Sequence, residues 1–498
     1  METLDGTEWD VVIADTGFAS SLLALSLSRS GKRILHLDPN EYYGGAEAAF
    51  SLAEAETWAL RWSESTDGAT FSHASVTKPS LSGDSKLLSS RAYSLALAPH
   101  LIYARSNNVP ALVSSQCHNQ LDFQAVGSWF VLNPFDDALT SSSRLIRVPS
   151  SREDVFQDAS LALKAKRALM KFLRFVASYE EQTETWNDSR DQSFSLFLEQ
   201  KFGLPAASHE PIMALTMSTT PASSTTTGFA LPRIAQHLRS IGIFGPGFGA
   251  VLPKWGGLAE IAQVACRAGA VGGGVYVLNK AIKEAAKVEQ SDTIALTLDG
   301  NERVSTTWLC GSTETTRWTG CTPAVSEEDF TTISRSISIV SSPLSHLFPP
   351  TSEGGVTPAG AVVVVPSPDA SEPPVHILVH TSDAGECPMD QSVAYASVAL
   401  PSDTGYPRLE RAISDLLLSA EDAQPELLWT LRYQQRTNLS TQALRESGGL
   451  INLPALRDDL VLDDSVLDGV RQAWQSITSE EQSVFMKFEA REGGEEEE

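Results

Sequence analysis

Residues Asp10-Val-Val-Ile-Ala-Asp15-Thr-Gly17-Phe-Ala-Ser20 have the spacing of the strand-turn-helix that grips a dinucleotide, in which G-x-G-x-x-G sets backbone amides against a pyrophosphate. The chemistry of such a turn is flavin or nicotinamide binding. Here Asp15 takes the first glycine position, Gly17 the second and Ser20 the third. A carboxylate at the first adds a Cβ to the tightest part of the turn and turns a negative charge toward a dianion. Two unit charges 4 Å apart near a protein surface interact by about 4 kcal/mol, so the sequence predicts the fold without the cofactor. Asp38 ends the next apolar run, Leu35-His-Leu37, where an acid would hold a ribose hydroxyl. Followed by Pro39-Asn40, it suits a turn equally well. With the glycines damaged, the turn reading leads.

The elements that must position these residues are legible around them. Asp10 to Ala14 is an apolar run suited to a buried parallel strand. Ser20 to Arg29 reads as a helix with Leu22, Leu23, Leu25 and Leu27 for packing, closed by Gly31. Lys32 to Leu37 reads as the second strand, in which His36, between two leucines, is a core or edge residue rather than a base. Further strands are predicted at Ser94 to Ala98, Leu101 to Tyr103, Ser128 to Leu132, Arg144 to Val148, Gly274 to Leu278, Thr293 to Thr297, Ala361 to Val365 and Val375 to Val379. From Pro149 to about Phe244 the period turns helical, with a capping arrangement at Ser150 or Ser151 and Asp154 and an apolar stripe at Ala165, Leu169, Phe172, Phe175 and Val176.

The resulting expectation is an α/β chain. A discontinuous Rossmann-type domain of the FAD/NAD-binding class covers residues 1–148 and 247–485, and an all-helical insert covers 149–246. Residues 64–90, rich in Ser, Thr, Gly and Asp, read as a flexible insertion, and the acidic run over 486–498 as a disordered tail.

Composition narrows the partners. A net charge of -25 over 498 residues disfavours nucleic acid and anionic membrane as direct partners. Five scattered cysteines in no C-x-x-C spacing argue against a disulfide framework or a zinc site and fit a reducing cytosol. The polar, acidic amino terminus predicts no signal peptide, and no apolar stretch approaches the ~20 residues of a membrane span. Nothing matches a nucleophile elbow, a Walker loop, an H-E-x-x-H helix or a calcium loop, so no cofactor, metal or catalytic group is predicted.

Longer motifs carry a family resemblance. Leu35-His-Leu-Asp38-Pro-Asn-Glu-Tyr-Tyr43-Gly44-Gly45 resembles the L-H-x-D-x-x-x-Y-Y-G-G segment of Rab GDP-dissociation inhibitors and Rab escort proteins. Arg91-Ala-Tyr-Ser-Leu-Ala-Leu-Ala-Pro99 is similar to their R-x-W-x-x-D-L-x-P, with Ala96 at the aspartate. Leu121-Asp-Phe123, Val148-Pro-Ser150, Gly273 to Lys280 and Leu309 to Ser312 correspond as well. Three segments resemble the escort branch: Lys166 to Phe175 is similar to K-R-x-L-M-K-F-L-x-F, Met217 to Thr225 to M-T-S-x-x-A-S-S-T, and Pro425 to Trp429 to a segment ending L-W.

What the resemblance implies is a non-enzymatic accessory protein. It would bind GDP-form Rab GTPases, present them to the geranylgeranyltransferase α/β heterodimer, shield the geranylgeranyl lipid and deliver the Rab. Such a protein would be monomeric and cytoplasmic, touching membranes transiently. Carried onto matching positions, Rab contacts fall on Tyr43, Arg91, Glu260, Arg267 and Val277. Glu260 and Arg267 stand seven apart, two turns along one helix face. Tyr43 reads equally as an aromatic plug under the Gly-Gly turn, and the Glu260/Arg267 pair as a solvated face. Leu169, Phe172, Phe175 and Val176 are the candidate prenyl wall, or ordinary core. A GDP-dissociation inhibitor and a flavin oxidoreductase of the same fold are the competing functions.

Overall fold

The computed structural model describes residues 3–64, 69–79, 87–133, 144–149, 155, 162–288, 291–312, 330–352, 354–420, 425–438 and 445–489. In chain order, the elements that position the site are β1 (Thr7–Ala14), α1 (Phe18–Leu27), β2 (Ile34–Leu37), α2 (Leu163–Ala177), α3 (Thr227–Ser240), α4 (Leu258–Val271), β3 (Val275–Val277), β4 (Arg303–Ser312), β5 (Leu450–Leu453) and α5 (Asp464–Thr478).

The apolar end of β1 is buried on both sides, which only a central strand of a covered parallel sheet requires. β3, β2, β1, β4 and β5 lie side by side, all parallel, with Val11 opposite Ile34 on one flank and Trp308 on the other. The strands Ile282–Lys287 and Ile294–Leu298 continue from β4 as an antiparallel pair. α1, α4 and α5 cover one face through Phe18, Leu22, Ile261, Val264, Val470 and Trp474. Leu22 to Leu25 and Leu27 are all buried. The helix ends at Leu27, four residues before Gly31, whose φ of 72° turns the chain into β2.

A second, ten-stranded sheet is mostly antiparallel, with one parallel joint between Gly360–Val365 and Phe123–Leu132. Helix Ser402–Leu418 packs on one of its faces and the 162–240 segment on the other. In that segment the described elements are helical, apart from a single bridge between Ser193 and Thr226. α2 turns Leu169, Phe172, Phe175 and Val176 inward against Phe194, Phe197 and Phe202, with ring centroids 5.2 to 6.0 Å apart between the α2 phenylalanines and these three. Its other face exposes Lys164, Arg167, Lys171 and Arg174.

Two features tie the helices to the sheets. Arg233 of α3, itself buried, donates to Asp459 at 2.6 Å and Asp463 at 3.3 Å. His237 of α3 stands edge-on to Trp129 and Tyr103, at 4.6 and 5.6 Å.

Two boundaries differ from the sequence reading. Segment 64–90, expected to be flexible throughout, contributes the strand Phe71–Thr77, paired antiparallel to Leu427–Asn438 at the edge of the large sheet. Phe71 and Ala74 are buried there, apolar positions that the surrounding serines and threonines had masked. Packing also runs past residue 485: Met486 is buried, and the Phe488 amide donates to the Ser114 carbonyl. The expected cap at Ser150, Ser151 and Asp154, residues 65–68 and 80–86 of the insertion, and residues 490–498 of the tail lie outside the described residues.

Candidate functional site

The turn between β1 and α1 is held by three carboxylates of the chain itself. Asp15 has a φ of 97°, a left-handed conformation that glycine adopts most easily. Its Oδ1 accepts the Gly17 amide at 3.0 Å and its Oδ2 the Ser312 amide from β4 at 2.9 Å. Glu47 reaches across from the turn after Tyr43-Gly44-Gly45, and its Oε2 accepts the Phe18 amide at 2.9 Å. Asp38, fully buried, takes the Thr16 amide and hydroxyl on Oδ2 at 2.7 and 2.6 Å, and the Asn40 amide on Oδ1 at 2.7 Å. Burial is the leading cause that raises the Asp38 carboxyl above its ordinary pKa.

A pyrophosphate does not fit this arrangement. The amides of Gly17 and Phe18, which open α1 and would face it, already donate to Asp15 and Glu47. A Cβ on Gly17 would lie 2.8 Å from Glu47 Oε2, so the glycine that admits a cofactor backbone-close elsewhere admits Glu47 here. Asp38 does not face outward for a ribose; both of its oxygens are spent on the turn. Ser20, at the third glycine position, is buried on the first turn of α1. His36 is core, its ring 4.8 Å from Tyr276 and its Nε2 against the Asp15 carbonyl, and burial pulls its pKa down to about 4. Glu47 escaped the sequence reading because nothing in Tyr-Tyr-Gly-Gly-Ala-Glu signals a cap for a helix 29 residues upstream.

Beside this closed seat, three segments converge. Residues 49–50 pair with 95–96, and Leu97 donates to the Ala48 carbonyl, so the turn after Tyr43 lies against the segment that begins at Arg91. Gly256 and Gly257, at the start of α4, come close enough to Ala49 and to the Ala98 carbonyl that a Cβ would sit 2.7 and 2.8 Å from them. On α4, Glu260 and Arg267 form an ion pair at 3.2 Å, with Arg267 60% and Glu260 18% exposed. Burial raises the Glu260 carboxyl, against the pull of Arg267. Tyr43 is half-buried and close to Cys266, the neighbour of Arg267 on α4. The plug under the turn is Tyr42 instead, edge-on to Phe50 at 4.9 Å. Arg91 is exposed on a single helical turn, with no hydrogen bond or ion pair among the described residues.

Val277 sits apart, on β3 opposite Leu37, with its side chain partly in the core of the parallel sheet. Leu169, Phe172, Phe175 and Val176 are buried and close on the phenylalanine cluster, so a lipid placed there has to part α2 from Phe194 to Phe202. Among the described residues, no group of His, Cys, Asp and Glu could hold a metal ion, and no helix is long and apolar enough to cross a membrane.

The family model for GDP dissociation inhibitor matches residues 5–346. A protein of Saccharomyces cerevisiae named "Rab proteins geranylgeranyltransferase component A" is 31% identical over 301 residues, covering 58% of this chain and 48% of the relative. The chain spans about half to three-fifths of the length of the curated relatives it matches, 48%, 62% and 57% of the first three. Among solved structures, a Rab GDI from Plasmodium falciparum superposes with a TM-score of 0.69 at 18% identity, over 95% of this chain and 98% of that one. An oxidoreductase from Methanosarcina mazei superposes at 0.58 and 12% identity, over 94% of this chain and all of its own, sharing the fold.

Proposed function

We propose, from the premise that the chain belongs to the GDP dissociation inhibitor family, that it is a Rab escort protein: a non-catalytic accessory of Rab geranylgeranyltransferase. It binds a GDP-form Rab GTPase, presents it to the transferase α/β heterodimer, shields the geranylgeranyl groups and releases the Rab at a membrane. One observation carries this reading. Where the fold would grip a dinucleotide, Asp15 and Glu47 occupy the amides of Gly17 and Phe18, while Tyr43, Arg91 and the Glu260–Arg267 pair stand exposed or half-exposed beside it. The exposed groups left for recognition support a protein, not a nucleotide, as the partner.

Tyr43, Arg91, Glu260 and Arg267 are the proposed Rab contacts, with Val277 supporting them from β3. The domain division follows the same logic, with the two-sheet body carrying the Rab and the helical segment the lipid and the transferase. Burying a C20 chain, which exposes hundreds of Å², at ~25 cal/mol per Å² stabilises the complex by several kcal/mol. The cationic face of α2, Lys164, Arg167, Lys171 and Arg174, supports an acidic transferase surface as the other contact. The escort reading is preferred to the inhibitor because Lys166 to Phe175, the segment that resembles escort proteins, forms α2 itself.

The test is reconstitution: transferase heterodimer, unprenylated Rab and lipid donor, with and without this protein. Prenylation that depends on the added protein supports the escort reading; extraction of prenylated Rab from membranes without support of prenylation makes it an inhibitor. A visible spectrum with stoichiometric flavin would overturn both. For the lipid site, a folded Leu169→Asp variant that binds fluorescent geranylgeranyl lipid unchanged removes the α2 assignment.

A further inference from the structure

Beneath the segment that carries Arg91 lies a carboxylate for which the surface described above has no use. Glu386 is fully buried. Its Oε2 accepts from His380 Nδ1 at 2.8 Å and from the Tyr395 hydroxyl at 2.8 Å, while Oε1 is buried with no partner among the described residues. With its hydroxyl proton directed at Glu386, the Tyr395 oxygen still has a lone pair to accept with, and it takes the Ala96 amide at 3.2 Å. The main chain of the same loop makes parallel ties. The Glu386 carbonyl accepts the Ser94 amide at 3.1 Å, the Ala384 carbonyl accepts the Trp255 amide at 2.8 Å, and Ser94 Oγ donates to the Trp255 carbonyl at 2.5 Å. Gln391 Oε1, further along, accepts the Tyr93 hydroxyl at 2.9 Å.

A buried carboxylate with one oxygen unmatched costs stability that an apolar residue of like volume would not. What this one delivers is orientation. His380 holds the carboxylate in place, and the other ties of Glu386 end on the 91–98 segment, at the Ser94 amide through its own carbonyl and at the Ala96 amide through Tyr395. We propose that Glu386 is a positioning residue: through Tyr395 it fixes the 91–98 segment, and with it Arg91, at the angle a GDP-form Rab requires. This rests on the reading of Arg91 as a Rab contact.

Three variants separate the roles of the atoms. Glu386→Gln keeps a carbonyl oxygen where Oε2 accepts both donors, so it rescues the geometry. Glu386→Leu removes the acceptor. Tyr395→Phe deletes one oxygen and with it the link to the Ala96 amide. Affinity for GDP-loaded Rab is measured by titration for each, alone and combined with Arg91→Ala, with near-ultraviolet circular dichroism as the check on folding. The expected result is a loss of about tenfold for Glu386→Leu and Tyr395→Phe, less than twofold for Glu386→Gln, and no further loss when Leu or Phe is added to Arg91→Ala. A merely structural role would leave the losses additive, and additivity overturns the proposal, as does wild-type affinity in folded Tyr395→Phe. If Glu386→Leu does not fold, Tyr395→Phe still decides. If Arg91→Ala itself binds as wild type, the contact assignment fails first, and the inference with it.

Discussion

Replacing Asp15 probes the closed seat most directly. Its carboxylate bridges the Gly17 amide, at 3.0 Å, to the Ser312 amide, at 2.9 Å, and so joins the α1 turn to the end of β4. Hydrogen bonds to a charged acceptor contribute about 1.5 to 3 kcal/mol each. Asp15 is partly exposed, so water replaces part of what is lost and the lower end applies. Asp15→Ala is then expected to destabilise the turn by about 3 kcal/mol while leaving a Cβ at a φ of 97°. Asp15→Gly loses the same two bonds but relieves backbone strain of about 1 to 3 kcal/mol, less the ~0.4 to 1 kcal/mol by which glycine favours the unfolded chain. The glycine variant should therefore be the more stable of the two by about 1 kcal/mol. Heat is a blunt probe in a chain of 498 residues, because ~2.1 cal/mol/K of unfolding entropy per residue leaves about 1 °C per kcal/mol. Amide hydrogen exchange at Gly17 and Ser312 reads the local opening directly. Protection should fall about a hundredfold in the alanine variant and less in the glycine variant. Equal protection in Asp15→Ala and wild type, or alanine outlasting glycine, would refute the bridging role.

Tyr43→Ala and Arg267→Ala should each weaken GDP-loaded Rab binding by about 2 kcal/mol, since Tyr and Arg dominate protein interfaces; titration within a factor of two of wild type removes that residue from the contact. Arg233→Leu should cost about 3 kcal/mol, the low end for breaking a buried pair, because it leaves Asp459, only 5% exposed, with Arg457 at 4.0 Å as its remaining cation; denaturant unfolding unchanged by the substitution would contradict the tie between α3 and the body. Burial holds His36, His100, His237 and His376 near a pKa of about 4, against 6.5 when exposed. Each folded-state pKa is depressed, so the unfolded chain binds the extra proton first. Stability is full above about pH 6.5 and falls as pH drops toward 4, by up to about 3 kcal/mol for each histidine. Melting followed from pH 7 to 4.5 should show a steep decline that is shallower in His237→Phe, and a flat profile would disprove it.

How much of this was legible depended on whether the cause was local. β1, α1 and β2 announce themselves because Val11 to Ala14 and Leu22 to Leu27 are apolar whichever way the chain later packs. Glu260 and Arg267 were singled out by the family resemblance, and α4 then returns residues seven apart to one face, where they pair. The Phe71–Thr77 strand was hidden by composition: its serines and threonines look like linker until Leu427–Asn438 supplies the partner. Helix Ser402–Leu418 was hidden by Gly405 and Pro407, both within its first two turns, residues that interrupt a helical pattern in sequence. Glu47 and Glu386 were invisible for a deeper reason. Glu47 caps the Phe18 amide 29 residues upstream, and Glu386 reaches the Ala96 amide only through the Tyr395 hydroxyl, so no local pattern records where either carboxylate acts.

The bond from Ser312 to Asp15 also spans 297 residues of sequence. β1 acquires its partner β4 only after three-fifths of the chain exists, and β4 acquires β5 only near residue 450. At roughly 5 to 20 residues per second, a ribosome needs about 15 to 60 s to pass from one partner of β1 to the other. Through that interval the nascent amino-terminal strand offers an unpaired edge, apolar from Val11 to Ala14, so birth rather than maturity is when this protein most needs a chaperone.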